Sequence, residues 1–314
     1  MRHTVKRALG ALLGSALLAL VGPASGVSAA SAAPPLAGPV QGPLEVDVAL
    51  VLAIDASGSI DYQEAELQRK GFAEAFLSKE VIQAIQSGSL GRIGVAAIYF
   101  SSRQYGVMSV PVNWMVVRDQ KSAEDFVKKL VSAPRQSARG TSISDALELS
   151  ERLLATGPYR SAKQVIDVSG DGANNAGRRV MEVRDEVLAK SITINGLPII
   201  DDTTQQDLDK YYEGCVTGGP GSFVIAAKGF GDFARAMRRK LILEISGLTP
   251  EQMPAGNPLL KKVAAATTQS APARPAPRGG YTARNPPYPG GCDFPMFGGF
   301  GGFNFGGGFD LPGR

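Results

Sequence analysis

The strongest constraint on the fold is a regular alternation of two kinds of segment between residues 46 and 247. Runs of consecutive apolar residues, such as VDVALVLAID at 46–55, alternate with segments whose apolar residues recur every three or four positions, as at 230–245. Strands that are apolar on both faces must be covered on both faces, and strands that alternate with helices favour a parallel arrangement. We therefore predict an α/β fold, a doubly wound, mostly parallel Rossmann-like sheet with helices on both faces.

The same patterns place the individual elements. The predicted strands are 46–55, 92–102, 111–117, 163–172, 192–199 and 221–227, the third as an edge or antiparallel strand because only a short loop precedes it. The predicted helices are 62–79, 123–133, 143–155, 178–190, 205–214 and 230–245. Ligand sites of such sheets lie beyond the carboxyl ends of the strands. Function is therefore expected in the loops after Ile54, Ser101 and Val168.

The regions that flank residues 46–247 differ in composition. Residues 1–32 begin with basic residues, continue with an apolar run and end in small residues, which is typical of a cleaved secretory signal peptide. Residues 33–45 are predicted to be a Pro/Gly linker, and residues 248–314 a Pro-rich and Gly/Phe-rich tail that is mostly disordered. We expect an exported protein, in the bacterial periplasm or secreted, with no transmembrane segment in the mature chain. The alternative is an N-terminal membrane anchor.

The composition excludes several kinds of site. The one histidine is His3, inside the predicted signal peptide, so the mature chain would have no imidazole for acid–base chemistry, for a catalytic triad or for zinc. Two cysteines cannot form a four-thiolate zinc site. Loss of three of the 33 Lys and Arg residues, against 29 acids, leaves a mature net charge of about +1. Without a basic run or interleaved aromatic residues, nucleic acid is not an expected partner.

Oxygen-bearing side chains are concentrated at the predicted carboxyl edge of the sheet. Asp55, Ser57 and Ser59 follow the first strand, Thr141 precedes the helix at 143–155, and Asp171 follows another strand within a Gly-Asp-Gly turn. Carboxylate and hydroxyl oxygens suit Mg²⁺, Mn²⁺ or Ca²⁺ better than zinc or copper. A shell with only two carboxylates leaves a position for an incoming carboxylate. Taken singly, each residue is better explained as a turn or helix-cap residue, or as a carboxylate that accepts hydrogen bonds from loop amides. Only the joint pattern favours a metal site.

The joint pattern, Asp55-x-Ser57-x-Ser59 followed by Thr141 and by Asp171, resembles the metal-ion-dependent adhesion site (MIDAS) of von Willebrand factor type A (vWA) domains. The resemblance covers about residues 46–247 and is greatest to a secreted bacterial group of undefined role within that superfamily. It implies that these five residues are the ligands of a divalent cation, Mg²⁺ first and Mn²⁺ or Ca²⁺ as alternatives.

The resemblance also implies a function. A partner protein would complete the metal shell with a Glu or Asp carboxylate, so the chain would be an adhesion-type protein-binding module and not an enzyme. Additional regulatory ions in some relatives need paired acids soon after the second serine. Here Asp61 is the only acid in that position, and we predict a single ion.

Two other functions are compatible with the sequence. A metal-assisted hydrolase is one, although the Gly140-Thr141-Ser142 similarity to a subtilisin nucleophile motif has no histidine to support it. A structural envelope protein that acts through its Gly/Phe tail is the other. Finally, Cys215 and Cys292 are expected to pair in an exported protein and to pin the tail to the domain, the alternative being a free or intermolecular thiol.

Overall fold

The computed structural model describes residues 43–105, 108–201, 207–250 and 291–292. The predicted signal peptide, most of the predicted linker and most of the predicted tail lie outside these residues. Among the described residues, none of the helices has the length and apolarity that a bilayer span requires.

The described strands form one large sheet and one small one. They are β1 Leu44–Glu45, β2 Ala49–Asp55, β3 Ile93–Phe100, β4 Met108–Val117, β5 Tyr159–Arg160, β6 Gln164–Gly170, β7 Thr193–Ile200 and β8 Ala227–Lys228. Six strands pair in the order β4-β3-β2-β6-β7-β8, and β1 pairs with β5. All pairs are parallel except β3 with β4, which is antiparallel. The predicted mostly parallel sheet is confirmed, as is the antiparallel edge strand.

Six of the described helices lie between strands in the chain, and the seventh follows the last described strand. They are α1 Tyr62–Phe76, α2 Lys79–Gln86, α3 Gln120–Ser132, α4 Ile143–Thr156, α5 Val180–Leu188, α6 Leu208–Tyr211 and α7 Phe233–Ser246. A π-helix at Tyr212–Val216 continues α6, and 3₁₀ turns occur at Arg103–Tyr105 and Phe230–Asp232.

The core has two layers because consecutive residues of a strand point to opposite faces of the sheet. Leu50 and Leu52 of β2 belong to the cluster that contains Phe72 of α1, whereas Val51 and Ala53 belong to the cluster on the other face. Every residue of β2 and β3 is buried. The sheet is therefore covered on both faces, as the continuous apolar runs predict.

A buried cluster of charged groups joins α7 to the middle of the sheet. The ammonium group of Lys240 lies 2.8 Å from Oδ1 of Asp167 on β6 and 2.5 Å from Oε1 of Glu244. Asn195 on β7 donates its side-chain N–H to the same Oε1 at 2.8 Å. All four side chains are buried. One lysine thus compensates two carboxylates in the interior.

Three predicted elements are wrong in part. The helix predicted over 62–79 ends at Phe76, because the hydroxyl of Ser78 accepts a hydrogen bond from the amide of Val81 and starts α2. Of the strand predicted at 221–227, only its last residue lies in β8. The preceding segment is held to β7 by single bonds, such as Phe223 N–H to Asn195 Oδ1. The helix predicted at 205–214 is α-helical only at 208–211 and widens into the π-helix.

Candidate metal centre

Asp55 ends β2 and forms the buried floor of the predicted site. Its Oδ1 accepts a hydrogen bond from the amide of Ser57 at 2.7 Å. Its Oδ2 is buried and has no hydrogen-bond partner among the described residues. Burial raises the pKa of this carboxyl to about 7, the nearby Asp171 adds to the rise, and Ser57 and Arg135 oppose it. A buried, unpaired carboxylate oxygen is costly unless a cation or proton compensates it, so Asp55 fits the role of a metal ligand.

The hydroxyl groups connect Asp55 with the loop that follows β6. The Oγ atoms of Ser57 and Ser59 are 3.1 Å apart, and Ser59 donates to Oδ1 of Asp171 at 2.9 Å. Ser57 is buried, Ser59 is exposed and Asp171 is half-buried. Burial raises the pKa of Asp171, and the hydrogen bond from Ser59 opposes that rise. The site therefore runs from a buried floor to a surface that solvent reaches.

Thr141 lies beside the same loop, just before α4. Its amide donates to Oδ1 of Asn175 at 2.8 Å, and its carbonyl accepts from the amide of Asn175 at 2.9 Å. Its Oγ1 would be 3.6 Å from a Cβ atom on Gly172, the residue that follows Asp171. The structure thus brings the three predicted loops together at the carboxyl edge of the sheet. The role of the five side chains as ligands stays a prediction.

Nearby polar residues are occupied in holding the loops. Asn174 accepts a hydrogen bond from the amide of Ser144 at 3.0 Å, and Asp145 accepts one from the amide of Arg103 at 3.3 Å. Asp61 caps α1 by accepting a hydrogen bond from the amide of Glu64 at 2.9 Å. The acid that follows the second serine is therefore used by a helix cap.

Two residues lie at the site although no local sequence pattern predicts them there. A Cβ atom on Gly170 would lie 3.1 Å from the hydroxyl of Tyr212, which is buried and has no hydrogen-bond partner in the described part of the chain. Burial raises the pKa of Tyr212 well above its usual range. The second residue is Arg135, whose Nη2 donates to the carbonyl of Ser57 at 3.4 Å.

The oxygen donors define the chemistry of the site. Within the described ranges, no group of three or more His, Cys, Asp or Glu side chains has an arrangement that could hold a metal ion. An ion at Asp55 and Asp171 would therefore depend on two carboxylates and on neutral hydroxyls. This set fits a hard divalent cation such as Mg²⁺ better than a soft one.

The predicted disulfide is present and reaches the back of the site. Cys215 of the π-helix is bonded to Cys292. The carbonyl of Cys292 accepts a hydrogen bond from the hydroxyl of Tyr211 at 3.4 Å, and that hydroxyl accepts one from the amide of Asn174 at 3.0 Å. The disulfide is thereby connected to the loop that carries Asp171.

The sheet order, the helices on both faces and the loops at the carboxyl edge are those of a vWA-type fold. Residues 45–249 match the family described as "Protein of unknown function (DUF1194)", and the chain belongs to that family. No curated protein is significantly similar to the chain in sequence.

Solved structures with the same fold include proteins from bacteria and from a mussel. The pilus adhesin SpaC from Lactobacillus rhamnosus GG is 16% identical, with a TM-score of 0.50 over 66% of this chain and 32% of SpaC. The vWF domain of the type V pili tip protein Mfa5 from Porphyromonas gingivalis is 11% identical, with a TM-score of 0.48 over 68% of this chain and 100% of that domain. Proximal thread matrix protein 1 (PTMP1) from the mussel byssus is 14% identical, with a TM-score of 0.47 over 65% of this chain and 49% of PTMP1.

This chain thus spans about a third of SpaC and about half of PTMP1. At such low identities the likeness concerns the fold alone.

Proposed function

We propose that this protein is an exported, metal-dependent protein-binding module. One divalent ion, with Mg²⁺ as the first candidate, is held by Asp55, Ser57, Ser59, Thr141 and Asp171. The ion captures a Glu or Asp carboxylate of a partner protein. The observation that carries this proposal is the buried Oδ2 of Asp55, for which the described part of the chain offers no hydrogen-bond donor and which lies beside the linked oxygens of Ser57, Ser59 and Asp171.

The charges of the site account for binding of the divalent ion and for capture of a carboxylate from the partner. The carboxylate of Asp171 contributes to the raised pKa of Asp55, and a divalent cation would balance both negative charges. The hydroxyl ligands are neutral, so the bound ion stays electrophilic and accepts a further anionic oxygen. Exposed Ser59 and half-buried Asp171 place the open side of the site at the surface, where a partner can reach it.

Two further observations support an adhesive role outside the cytoplasm. SpaC, which has the same fold, is a pilus adhesin. The disulfide between Cys215 and Cys292 is of a kind that persists mainly in oxidising compartments. The proposal keeps the division into a signal peptide at 1–32, a linker at 33–45, a vWA-like domain at 46–247 and a tail at 248–314.

Calorimetric titration of the disulfide-bonded protein with Mg²⁺ and Mn²⁺ tests the site. The variants are Asp55→Asn and Asp171→Asn, each of which removes one charge and keeps the shape of the side chain. Asp125→Asn is the matched control, because Asp125 is an exposed carboxylate that pairs with Lys121 on α3.

We expect wild type to bind Mg²⁺ and Mn²⁺, and Asp125→Asn to bind each ion with the same Kd as wild type. Asp55→Asn and Asp171→Asn should not bind them, while their circular dichroism stays that of the wild type. Unchanged Mg²⁺ and Mn²⁺ affinity in either site variant would overturn the assignment.

A further inference from the structure

The loop between α3 and α4 brings a positive charge to the metal centre. Ser57 and Ala138 form an isolated parallel bridge, and the carbonyl of Ala138 would be 3.7 Å from a Cβ atom on Gly58. The loop therefore passes directly beside the Asp55–Ser59 turn. Arg135 extends from this loop, and its Nη2 donates to the carbonyl of Ser57 at 3.4 Å.

Arg135 is not neutralised by an ion pair within the described residues. Its Nε is buried and has no hydrogen-bond partner there either. Burial lowers the pKa of this guanidinium, and Asp55 is the first of the charges that oppose the lowering. In contrast, Arg178 is paired with Glu148 and Glu186. A guanidinium has five N–H donors, so Arg135 retains donor capacity beside the metal centre.

The charges around the two carboxylates are unequally distributed. Glu64 and Asp201 act on Asp171 and are both acidic. Arg135 is a cation that acts on Asp55 and, less strongly, on Asp171, and a second cation, Arg69, acts on Arg135. Once a divalent ion balances Asp55 and Asp171, the Arg135 side of the centre is positive and the other side is negative. An anionic group that approaches the ion is therefore favoured on the Arg135 side.

We propose that Arg135 is a specificity-determining residue that binds the partner's carboxylate together with the ion. One carboxylate oxygen binds the ion and the other accepts a hydrogen bond from the Arg135 guanidinium. A planar guanidinium matches the two oxygens of a carboxylate, which makes an acidic side chain a better ligand than a neutral amide of the same shape. This inference rests on the proposed function, and the test separates the two.

Mn²⁺ serves as the probe ion and acetate as the probe ligand. Electron paramagnetic resonance measures the Kd of Mn²⁺ for the full, disulfide-bonded protein. Relaxation of the acetate methyl protons then reports acetate bound at the paramagnetic ion, with acetamide as the neutral comparison. The variants are Arg135→Ala and Arg135→Lys. Arg160→Ala is the matched control, because Arg160 is exposed and lies in β5, which precedes the amino end of β6.

We expect saturable relaxation of acetate, but not of acetamide, with wild type and Arg160→Ala. In Arg135→Ala the Kd of acetate should rise roughly tenfold, the size of one hydrogen bond between charged groups. Mn²⁺ should bind this variant equally or up to about threefold more tightly, since a like charge has been removed. Arg135→Lys should bind acetate with intermediate affinity, because it keeps the charge and loses the planar donors.

Three results would each overturn a different part of the proposal. Absence of Mn²⁺ binding to wild type overturns the proposed function and this inference with it. Normal Mn²⁺ binding with unchanged acetate affinity in Arg135→Ala overturns the role of Arg135 alone. A parallel loss of Mn²⁺ and acetate affinity in Arg135→Ala and Arg135→Lys shows that Arg135 only supports the loop, and overturns its role in recognition.

Discussion

A Cβ atom on Gly170 would lie 2.7 Å from Oδ2 of Asp55. Such a contact is too short for a carbon and an oxygen atom, and the same Cβ would be 3.1 Å from the hydroxyl of Tyr212. The backbone of β6 can thus approach the buried carboxylate only with glycine at this position. The absence of a side chain at Gly170 leaves room for the Asp55 carboxylate.

Gly170→Ala should therefore displace Asp55 and weaken binding of the divalent ion by at least roughly tenfold, a size typical of changes that misplace metal ligands. Calorimetry with Mn²⁺ measures the change. Gly231→Ala is the control, because a Cβ atom there meets no heavy atom of the described residues within 4 Å. Equal Mn²⁺ affinity in the two alanine variants would show that Asp55 is not a ligand or that β6 moves freely.

Thr141→Val should weaken Mg²⁺ binding by roughly tenfold without unfolding the domain. Valine has nearly the shape of threonine but lacks the hydroxyl ligand, and the hydrogen bonds of Thr141 with Asn175 involve only the Thr141 backbone. Titration calorimetry and a thermal melt measure the two effects separately. Thr156→Val, at the exposed end of α4, should leave the affinity unchanged. A melting temperature that falls together with the affinity would indicate a structural role for Thr141.

Replacing Cys215 and Cys292 by serine should lower the free energy of unfolding. The bond joins residues 77 positions apart. A crosslink of that span lowers the conformational entropy of the unfolded chain, which raises the free energy of unfolding by up to about 4 kcal/mol. Chemical denaturation of the variant and of wild type with and without reductant measures the difference. We expect reduced wild type to unfold like the variant. Identical denaturation curves for oxidised wild type and the variant would contradict the prediction.

The buried Asp167 should make the protein less stable as the pH rises from about 4 to about 7. Burial raises the pKa of this carboxyl from 3.8 to about 7, Glu244 adds to the rise and Lys240 opposes it. In this range the folded state keeps a proton that the unfolded state releases, so the free energy of unfolding falls with rising pH and levels off above about 7. The total change is on the order of 4 kcal/mol or less, at about 1.36 kcal/mol per pH unit.

Asp167→Asn should remove this part of the pH dependence, because asparagine does not ionise. In the metal-free protein the raised pKa of Asp55 also lowers the free energy of unfolding as the pH rises. The contribution of Asp167 is therefore the difference in pH dependence between wild type and Asp167→Asn. Denaturation at pH 5 and pH 8 in the presence of a chelator measures it. Asp125→Asn should keep the wild-type dependence. A slope in Asp167→Asn equal to that of wild type would contradict the assignment.

The sequence was sufficient to predict five of the six strands of the large sheet, β2, β3, β4, β6 and β7, and the edge at which the five oxygen-bearing residues lie. The run that forms β2 is apolar at every position from Ala49 to Ile54, which is the pattern of a strand buried on both faces. Parallel strands end at the same edge, so Asp55 and Asp171 were both expected there, and the pairing of β2 with β6 in the structure makes them neighbours. The break before α2 was also foreseeable, since Ser78 is a favoured residue at a helix start.

Tyr212 and Arg135 could not be predicted as parts of the site. Tyr212 reaches Gly170 from a π-helix, and a Cβ atom on Gly196 would lie 2.7 Å from its ring, so two distant glycines make room for it. Arg135 approaches Asp55 because its loop pairs with Ser57 through Ala138. Both placements depend on packing between segments far apart in the chain, for which a single sequence has no local pattern.

Cys215 and Cys292 close part of the polypeptide into a covalent ring. A protease that cut one peptide bond between these residues would open the ring without separating the two fragments. The chain after Cys292 would then stay covalently attached to the domain through the disulfide, and Cys292 itself lies beside Tyr211. Cleavage of one peptide bond between Cys215 and Cys292 would therefore not release the C-terminal segment from the domain.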